Sequence, residues 1–420
     1  MRIYILITAL ICLAAQPAAW GIDVVGDGTD QTAELQAAIN QAASTREPVV
    51  IKGRVYIYDH IYIYGEVSLV GNGTGTILLD GDLTYGRYWI NIGCKQYGST
   101  GSNVSPWMGR IDGVIFKVTA NVTDPGPHPD MRIINIHNSI IARITNCTFD
   151  VRWAGYDMIG PIAAGNNMEF STFVGRKNIY IRDNVLLGAQ DFDGNEGISI
   201  GNCDGVWISG NYVEGFGDDV IALHLCRDFA IKDNVCHAID GRLFLSNSQR
   251  GAVRNNSVER EPSTETRGSG GGLIWLETEY NYGYAPSDII ISQNRLKHNP
   301  HLVSPTYGVR MFNTRRCKVL NNTILDSSGW GYGVTVEVGP MTGWTDPEGH
   351  DPDNIPRARN IQIVGNIAMD PTGANNCNGS MREGAATAYN IPGPCIWAGN
   401  RPGNAGYNIF GLNSVRGYLD

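Results

Sequence analysis

Charged residues are scarce in this chain, and basic residues form no run. Of its 420 residues only 17% are charged, which is low for a helical protein, and the formal net charge is −9. Proteins that bind nucleic acid or anionic lipid usually carry a basic patch or stripe. The composition therefore predicts no nucleic-acid partner.

Long apolar runs are also missing, apart from one near the N-terminus. Residues 3–15 are apolar, one basic residue precedes them, and small residues follow. This pattern is typical of a secretory signal peptide, and the apolar run is short for a membrane span. We predict a signal peptide over 1–21 with cleavage before Ile22. The mature protein is then expected to have no membrane span and to be secreted, in an extracellular or periplasmic location.

Helical periodicity is rare as well. The clear exception is residues 32–43, TAELQAAINQAA, in which Thr32 is a candidate cap and apolar residues recur at helical spacing. Elsewhere the 52 glycines and the frequent asparagines favour tight turns. This composition predicts many short strands.

A short pattern recurs along these strands: an apolar residue, two free positions, Asn, one free position, and often another apolar residue. It reads IRDNVL from Ile181, ISGNYV from Ile208 and IKDNVC from Ile231. The tightest steps between successive Asn positions are 23 and 22 residues. Such a period without room for a helix predicts a β-solenoid whose coils stack roughly 4.8 Å apart. The Asn positions are Asn184, Asn211, Asn234, Asn256, Asn294, Asn322 and Asn366, with Cys147 in the same slot of an earlier coil.

The domain organisation follows from this repeat. We predict an all-β solenoid over 22–370 with the helix 32–43 as its N-terminal cap, and an irregular C-terminal cap or tail over 371–420. Nine cysteines are present, and Cys377 with Cys395 is the pair best placed for a disulfide in the tail. Cys203 and Cys226 are expected to stack on adjacent coils, either as a disulfide or as buried thiols.

Polar residues of several coils are predicted to converge on one face. Aligning the coils by Ile200, Leu223, Leu245 and Met311 stacks the segments NEGISI, DDVIAL, DGRLFL and TYGVRM. In this alignment Val220 lies beside Arg242. The residues placed on the face or next to it are Asn195, Glu196, Asp218, Asp219, Asp240, Arg242 and Arg310, with His224 just beyond and Trp275 on a later coil.

Carboxylates that lie this close cannot all ionise cheaply, so one is expected to hold a proton near neutral pH. Glycosidic bond cleavage needs such an acid and a second, ionised carboxylate. We predict Asp218, Asp219 and Glu196 as catalytic residues. We predict Asn195, Asp240, Arg242, Arg310, His224 and Trp275 as substrate-binding residues. No metal site is predicted. A solvated turn and a Ca²⁺ site remain alternative interpretations of the acidic residues.

The segment GDGTDQTAELQAAINQAA, together with SLVGNGTGTIL and the Asn repeat, resembles the pectate-lyase-like superfamily of right-handed parallel β-helices. The resemblance covers roughly residues 22–370 and implies the fold. That superfamily contains lyases, hydrolases, epimerases, phage tailspikes and binding proteins, so the reaction must be argued from the site.

At the site the chain resembles polygalacturonase-type hydrolases, which carry Asn-Thr-Asp, Asp-Asp, Gly-His-Gly and Arg-Ile-Lys on successive coils. Asp218-Asp219 matches the Asp-Asp pair, Glu196 takes the earlier Asp position, and Arg310 matches the Arg. The His and Lys positions depart from the pattern, because Asp240-Gly241-Arg242 and Phe312 stand there. The resemblance implies a secreted glycoside hydrolase acting on a polysaccharide or oligosaccharide, with inversion at the anomeric carbon and no required cofactor.

Two alternatives follow from the same residues. A polysaccharide lyase would use Arg242 or Arg310 as the base and Ca²⁺ held by the acidic cluster. A non-catalytic glycan-binding or adhesin β-helix would use the same face without turnover. The sequence leaves open the sugar, the linkage, and endo or exo cleavage.

Overall fold

The computed structural model describes the greater part of the chain. The described residues are 21–80, 88–93, 108–119, 131–137, 140–152, 159–164, 176–188, 196–238, 241–260, 272–278, 285–298, 306–312, 314–325, 331–337, 361–369, 395–398, 401–402 and 415–417. Nearly all of the predicted signal peptide lies outside these residues. Cys377, one half of the predicted Cys377–Cys395 disulfide, also lies outside them.

The described residues form one helix, α1, and strands numbered β1 to β36 along the chain, in three long sheets. The 14-stranded sheet contains β1 (Ile22–Val25), β2 (Val49–Lys52), β5 (Glu66–Val70), β8 (Met108–Asp112), β11 (Ile141–Thr145), β14 (Arg176–Arg182), β17 (Cys203–Ser209), β20 (Arg227–Lys232), β23 (Gln249–Arg254), β26 (Ser287–Ser292), β29 (Lys318–Leu320), β32 (Gln362–Val364), β34 (Cys395–Ala398) and β36 (Val415–Gly417).

The 10-stranded sheet contains β4 (Ile61–Ile63), β7 (Tyr88–Ile92), β10 (Met131–Ile136), β13 (Ile159–Ala164), β16 (Ile198–Gly201), β19 (Asp219–His224), β22 (Arg242–Ser246), β25 (Gly272–Glu277), β28 (Thr306–Phe312) and β31 (Gly331–Glu337). The 12-stranded sheet contains β3 (Arg54–Ile57), β6 (Thr76–Leu79), β9 (Ile115–Val118), β12 (Thr148–Asp150), β15 (Val185–Leu187), β18 (Tyr212–Glu214), β21 (Val235–Ala238), β24 (Ser257–Arg260), β27 (Arg295–Lys297), β30 (Thr323–Leu325), β33 (Ile367–Met369) and β35 (Arg401–Pro402).

Each coil contributes a strand to each sheet, and neighbouring coils pair in parallel. For example, β14 pairs with β17 and β17 with β20, so that Ile181, Ile208 and Ile231 stack in one inward column. All three are fully buried, and the core is a continuous apolar filling between the three sheets. Among the described strand pairs only β34 and β36, at the C-terminal end, are antiparallel. The predicted all-β parallel solenoid is confirmed.

The helix α1 covers one end of this core. It spans Thr32–Thr45, close to the predicted 32–43, and Leu35, Ala38, Ile39 and Ala42 are buried as the apolar stripe predicts. The predicted capping role of Thr32 was wrong. Thr32 is the first helical residue, and its N–H donates to the Asp30 carboxylate (2.9 Å). Its hydroxyl also accepts from the Tyr58 N–H (2.9 Å), which ties the helix to the coil that follows.

The recurring asparagines form a buried hydrogen-bonded ladder. The Asn234 side chain donates to the Ile208 carbonyl (3.1 Å) and to the Asn256 side chain (2.9 Å). It also accepts from the Asn211 backbone N–H (3.0 Å). The same contacts repeat from Asn184 to Asn366, and Cys147 occupies the slot before them, donating its N–H to Asn184 (2.9 Å). Each ladder Asn therefore satisfies polar groups that would otherwise be buried without partners.

Replacing one ladder residue should destabilise the fold strongly. Asn234→Ala leaves the Asn211 N–H, the Ile208 carbonyl and part of the Asn256 amide without their partners. At roughly 1–3 kcal/mol for each orphaned group, we expect a loss of more than about 3 kcal/mol in the free energy of unfolding. Urea unfolding measures it. Val235→Ala, at the next and 39% exposed position, should change the free energy by less than about 0.5 kcal/mol. Equal effects of the two changes would contradict this role.

Five cysteines are buried thiols: Cys147, Cys203, Cys226, Cys236 and Cys317. Asp204 pairs with Arg227, which places Cys203 beside Cys226 on adjacent coils, and both are buried thiols rather than halves of a disulfide. Burial also raises the pKa of the Cys236 thiol to about 12. These cysteines fill the core.

Candidate active site

The predicted face is the outer surface of the 10-stranded sheet. Strand pairing places Ile200, Leu223, Leu245 and Met311 in one inward column, with Leu276 between the last two. The outward column beside it contains Ala163, Ser199, Ala222, Phe244, Trp275 and Arg310 in successive coils. This agrees with the coil alignment from sequence. The side chains in this column are small in the earlier coils and large in the later ones, where they are two aromatic rings and a guanidinium group.

One detail of the alignment was wrong. The pairing of β19 with β22 shifts register between Asp219 and Ile221, as a β-bulge does. Arg242 therefore pairs with Asp219 and not with Val220. The extra residue could not be foreseen from spacing alone, and it brings the Arg242 Nε within 2.9 Å of an Asp219 carboxylate oxygen.

Three carboxylates meet at this edge of the sheet. Glu196 precedes β16, Asp218 precedes β19, and Asp219 begins β19; each contributes an oxygen, and these oxygens lie within 4.8 Å of one another. Glu196 and Asp219 are buried, whereas 62% of the Asp218 side chain is exposed. The cluster thus has one accessible carboxyl group and two beneath it.

Glu196 contacts a guanidinium and an imidazole ring. Its Oε2 accepts from Arg132 Nη2 (2.9 Å), and its backbone carbonyl accepts from Arg132 Nη1 (3.1 Å). Its Oε1 faces the His224 Nε2 at 3.4 Å. Burial opposes ionisation of Glu196, but the contact with His224 and the charge of Arg132 outweigh it, so that the pKa falls to about 2. Glu196 is ionised over the whole physiological range.

The two aspartates shift in the opposite direction. Burial raises the pKa of Asp219 well above its usual value, and Arg242 only partly offsets this. Partial removal of Asp218 from water, followed by the negative charge of Glu196, also raises the pKa of Asp218. Because the Asp218 side chain is mostly exposed, water limits the size of its shift. The three carboxyl groups therefore differ in proton affinity: Glu196 is ionised, whereas Asp218 and Asp219 retain their protons more readily.

Room for the Arg132 guanidinium comes from a glycine in the next coil. Arg132 in β10 pairs with Gly160 in β13. A Cβ at position 160 would lie 1.8 Å from Arg132 Nη1 and 2.8 Å from the Glu196 carbonyl oxygen. Sequence reasoning missed both residues, because the connections between β10, β13 and β16 vary in length and obscure the coil register. Aligning the segment MRIINI with IGPIAA would have placed Arg132 beside Gly160.

Aromatic rings and guanidinium groups form the other half of the face. The Arg242 Cζ lies 4.7 Å from the Phe244 ring centre and 4.2 Å from that of Trp275. The Arg310 Cζ lies 4.4 Å from the Trp275 ring centre. The His224 ring meets Phe244 edge-on, with the ring centres 5.6 Å apart. Phe244 was not among the predicted site residues.

The structure thus brings together most of the predicted residues. They form a series of pairwise contacts. His224 contacts Glu196, and Arg242 lies beside both Asp218 and Asp219. Trp275 contacts Arg242 and Arg310, which extends the series to the later coils. The predicted Asn195 and Asp240 lie outside the described residues. Their roles stay predictions.

The raised pKa of Asp219 has a consequence for stability. Above the ordinary aspartate pKa of 3.8 the unfolded chain is ionised at this position, while the folded chain favours the proton. The group therefore costs folding free energy at neutral pH, and this cost vanishes as pH falls below 3.8. We expect Asp219→Asn to raise the melting temperature at pH 7, by roughly 1 °C for each kcal/mol gained in a chain of this length, and to leave it unchanged near pH 3.

The matched control is Asp228→Asn on the 14-stranded sheet. The hydrogen bond from Arg250 lowers the pKa of Asp228, so this change should leave stability at pH 7 unchanged or slightly reduced. Thermal unfolding followed by circular dichroism at both pH values measures the two variants. A lower melting temperature for Asp219→Asn at pH 7 would show that Asp219 is a stabilising anion.

The comparisons with known proteins agree with this architecture. Residues 175–373 match the protein family described as "Right handed beta helix region". Among solved structures, the chain is similar to PfbA, a surface adhesin of Streptococcus pneumoniae, with 13% identity, a TM-score of 0.57 and 91% of each chain covered. No curated protein matches the sequence. The chain is therefore a right-handed parallel β-helix protein, as the resemblance to the pectate-lyase-like superfamily implied.

Two phage tailspikes show a looser likeness. The Dettilon tailspike protein has 14% identity and a TM-score of 0.46; the match covers 90% of this chain and 65% of the tailspike's length. A tailspike mutant of E. coli bacteriophage HK620, in complex with a pentasaccharide, has 12% identity and a TM-score of 0.49, over 85% of this chain and 75% of that one. At these identities the likeness concerns the fold alone. In the described part of the chain, no helix has the length and apolar character needed to cross a membrane.

Proposed function

We propose that this protein is a glycoside hydrolase that cleaves a polysaccharide at the carboxylate cluster. The observation that carries the proposal is the opposed proton affinity of neighbouring carboxyl groups: the pKa of Glu196 is lowered to about 2, while those of Asp218 and Asp219 are raised. Glycoside hydrolysis requires one protonated and one ionised carboxyl group side by side. No cofactor is needed for this chemistry.

The accessible Asp218 is the proton donor in this proposal. It protonates the leaving oxygen as the glycosidic C–O bond breaks, and the ionised Glu196 faces the positive charge that develops at the anomeric carbon. Asp219 lies beneath them, next to Arg242, which is 2.9 Å from Asp219 and 3.9 Å from Asp218. Water supplies the oxygen that ends on the anomeric carbon, and its proton restores Asp218.

The spacing of the cluster bears on stereochemistry. Carboxyl groups about 5–5.5 Å apart are typical of retaining glycosidases, and separations of about 6.5–9.5 Å of inverting ones. Oxygens of Glu196, Asp218 and Asp219 lie within 4.8 Å of one another. This closeness is compatible with retention, in which Glu196 would bond to the anomeric carbon before water displaces it. The resemblance to polygalacturonase-type hydrolases implies inversion, so the anomeric form of the first product decides between the two.

A polysaccharide lyase is the second candidate, supported by the two arginines on this face. Its calcium ion fits the cluster poorly. Both Glu196 oxygens already have side-chain partners, the Arg132 guanidinium and the His224 ring, and an Asp219 oxygen faces Arg242. A calcium ion prefers oxygen ligands without such neighbours. Arg242 or Arg310 would have to act as the base without the metal.

A non-catalytic glycan-binding role is the third candidate. PfbA, which shares the fold, is a surface adhesin. Strongly perturbed proton affinities at clustered carboxyl groups favour catalysis over simple binding, because binding hydroxyl groups does not require them. The predicted signal peptide over 1–21 is consistent with a secreted enzyme that meets polysaccharides outside the cell.

A panel of plant and microbial polysaccharides, with products analysed by NMR, tests the proposal. Hydrolysis gives saturated products with new reducing ends, and early spectra report the anomeric configuration. Unsaturated products would identify a lyase instead. Binding to a glycan without any product would identify a binding protein.

A further inference from the structure

Arg242 is held beside the aspartates by rings rather than by hydrogen bonds. Its Nε lies 2.9 Å from Asp219 Oδ1, yet neither atom forms a hydrogen bond within the described residues, because the N–H is not directed at the oxygen. Its Nη2 lies 3.9 Å from Asp218. A contact without a directed hydrogen bond does not by itself fix the orientation of a long side chain. Another contact must fix its position.

The faces of Phe244 and Trp275 supply that contact. The Arg242 Cζ lies 4.7 Å and 4.2 Å from the two ring centres, within the range of a cation–π contact. The two rings meet edge to face with their centres 6.0 Å apart. Only 17% of the Arg242 side chain is exposed. Both rings therefore contact the guanidinium, in a part of the face that is largely shielded from water.

Trp275 is itself braced from the next coil. Arg310 pairs with Trp275 in the strand register, and its Cζ lies 4.4 Å from the same ring centre. With both guanidinium groups against it, the ring has less of its surface available to a sugar than an open stacking platform would have. Among the described residues the buried Nε1 of Trp275 has no hydrogen-bond partner, so packing fixes the ring there.

We propose that Phe244 and Trp275 form an aromatic clamp that positions Arg242 against Asp218 and Asp219, so that Trp275 is a positioning residue and not a sugar platform. This inference deepens the proposed hydrolase function, and its effect on rate rests on that function. The clamp keeps a fixed positive charge beside the proton donor, where it limits how firmly the aspartates hold their protons.

Other charged or titratable groups also face the aspartates, and a test must separate their effects from that of Arg242. Arg132 extends from β10, Glu196 precedes β16, and His224 ends β19. None of these contacts the Trp275 ring in the described structure; Arg242 and Arg310 do. A change at Trp275 should therefore reach the aspartates through Arg242.

The decisive experiment is a carboxyl NMR titration of the full chain without substrate. Arg242 lowers the pKa of both aspartates, so releasing it should raise their titration midpoints. We expect Trp275→Ala to raise them by about half a pH unit, the shift that a cation–π contact of this kind can supply. Trp275→Phe retains a ring face and should shift them less. Trp207→Ala, on the 14-stranded sheet and stacked on Tyr180, should shift neither.

Unchanged midpoints in folded Trp275→Ala would overturn the clamp, whatever the enzyme does. If Trp275→Ala does not fold, Phe244→Leu removes the other ring and gives the same test. Where the wild type hydrolyses a glycan, the alkaline limb of its kcat/KM profile should move upward with the midpoints. A raised KM with both limbs unmoved would instead show that Trp275 stacks on the sugar. A wild type without turnover would refute the hydrolase but leave the titration valid.

Discussion

Asp218→Asn is expected to reduce kcat/KM by about 10²–10⁴-fold on a natural polysaccharide, the usual contribution of a general acid. The physical reason is that Asp218 is the accessible member of the cluster, with 62% of its side chain exposed, and its pKa is raised by burial of its surroundings and by Glu196. Asn has nearly the same shape but cannot give up a proton. Glycan binding should persist, because the polar contacts of the side chain remain. Steady-state kinetics and calorimetric binding measure the two effects separately.

A substrate with a good leaving group sharpens this prediction. An aryl glycoside whose phenolate leaves without protonation should lose far less rate in Asp218→Asn than the polysaccharide does. Asp233→Asn changes an exposed aspartate that directly follows β20 and should leave both rates unchanged. An equal loss on both substrates would mean that Asp218 binds the glycan and does not donate the proton.

Gly160→Ala is expected to break the contact between Arg132 and Glu196, which lies below the exposed Asp218. The new Cβ would lie 1.8 Å from Arg132 Nη1, so the guanidinium must leave its place against Glu196. A buried carboxylate that loses its partner costs about 3–5 kcal/mol. We expect a loss of that size in the free energy of unfolding, measured with urea, and a rise in the pKa of Glu196 from about 2 toward its ordinary value.

A double-mutant cycle separates this mechanism from simple overpacking. Arg132→Met removes the charge without crowding and should destabilise the protein by a similar amount. If Gly160→Ala acts through Arg132, the double variant should be little worse than Arg132→Met alone. Fully additive losses would place the cost of Gly160→Ala somewhere other than the ion pair with Glu196.

The fold could be predicted largely because its signal is repeated. The Asn at each coil corner is buried and bonded to the next, so the residue type must recur at the same place. The position before it adopts a positive φ, as at Asp183, Gly210 and Asp233, which explains the turn-forming residues that precede each Asn. The cap of α1 was not predictable in the same way, because Asp30 and Tyr58 satisfy Thr32 through contacts that follow no repeat.

The site was partly predictable for a related reason. Coils 22 or 23 residues apart keep their register, and this placed Asp218 and Asp219 near Glu196 and Arg242. Two features broke the pattern. A bulge in β19 moved Arg242 from Val220 to Asp219, and variable connections hid Arg132 and Gly160. The direction of each pKa shift required the structure, because it depends on how far the polar contacts of each carboxyl group offset its burial.

The most direct test of the central claim is cleavage of a responsive polysaccharide in water enriched in heavy oxygen. The carboxylate mechanism predicts that the wild type incorporates one heavy oxygen atom at each new reducing end, and that Asp218→Asn gives little product over the same time. Products without heavy oxygen, and with an unsaturated sugar at the new end, would contradict hydrolysis at this cluster.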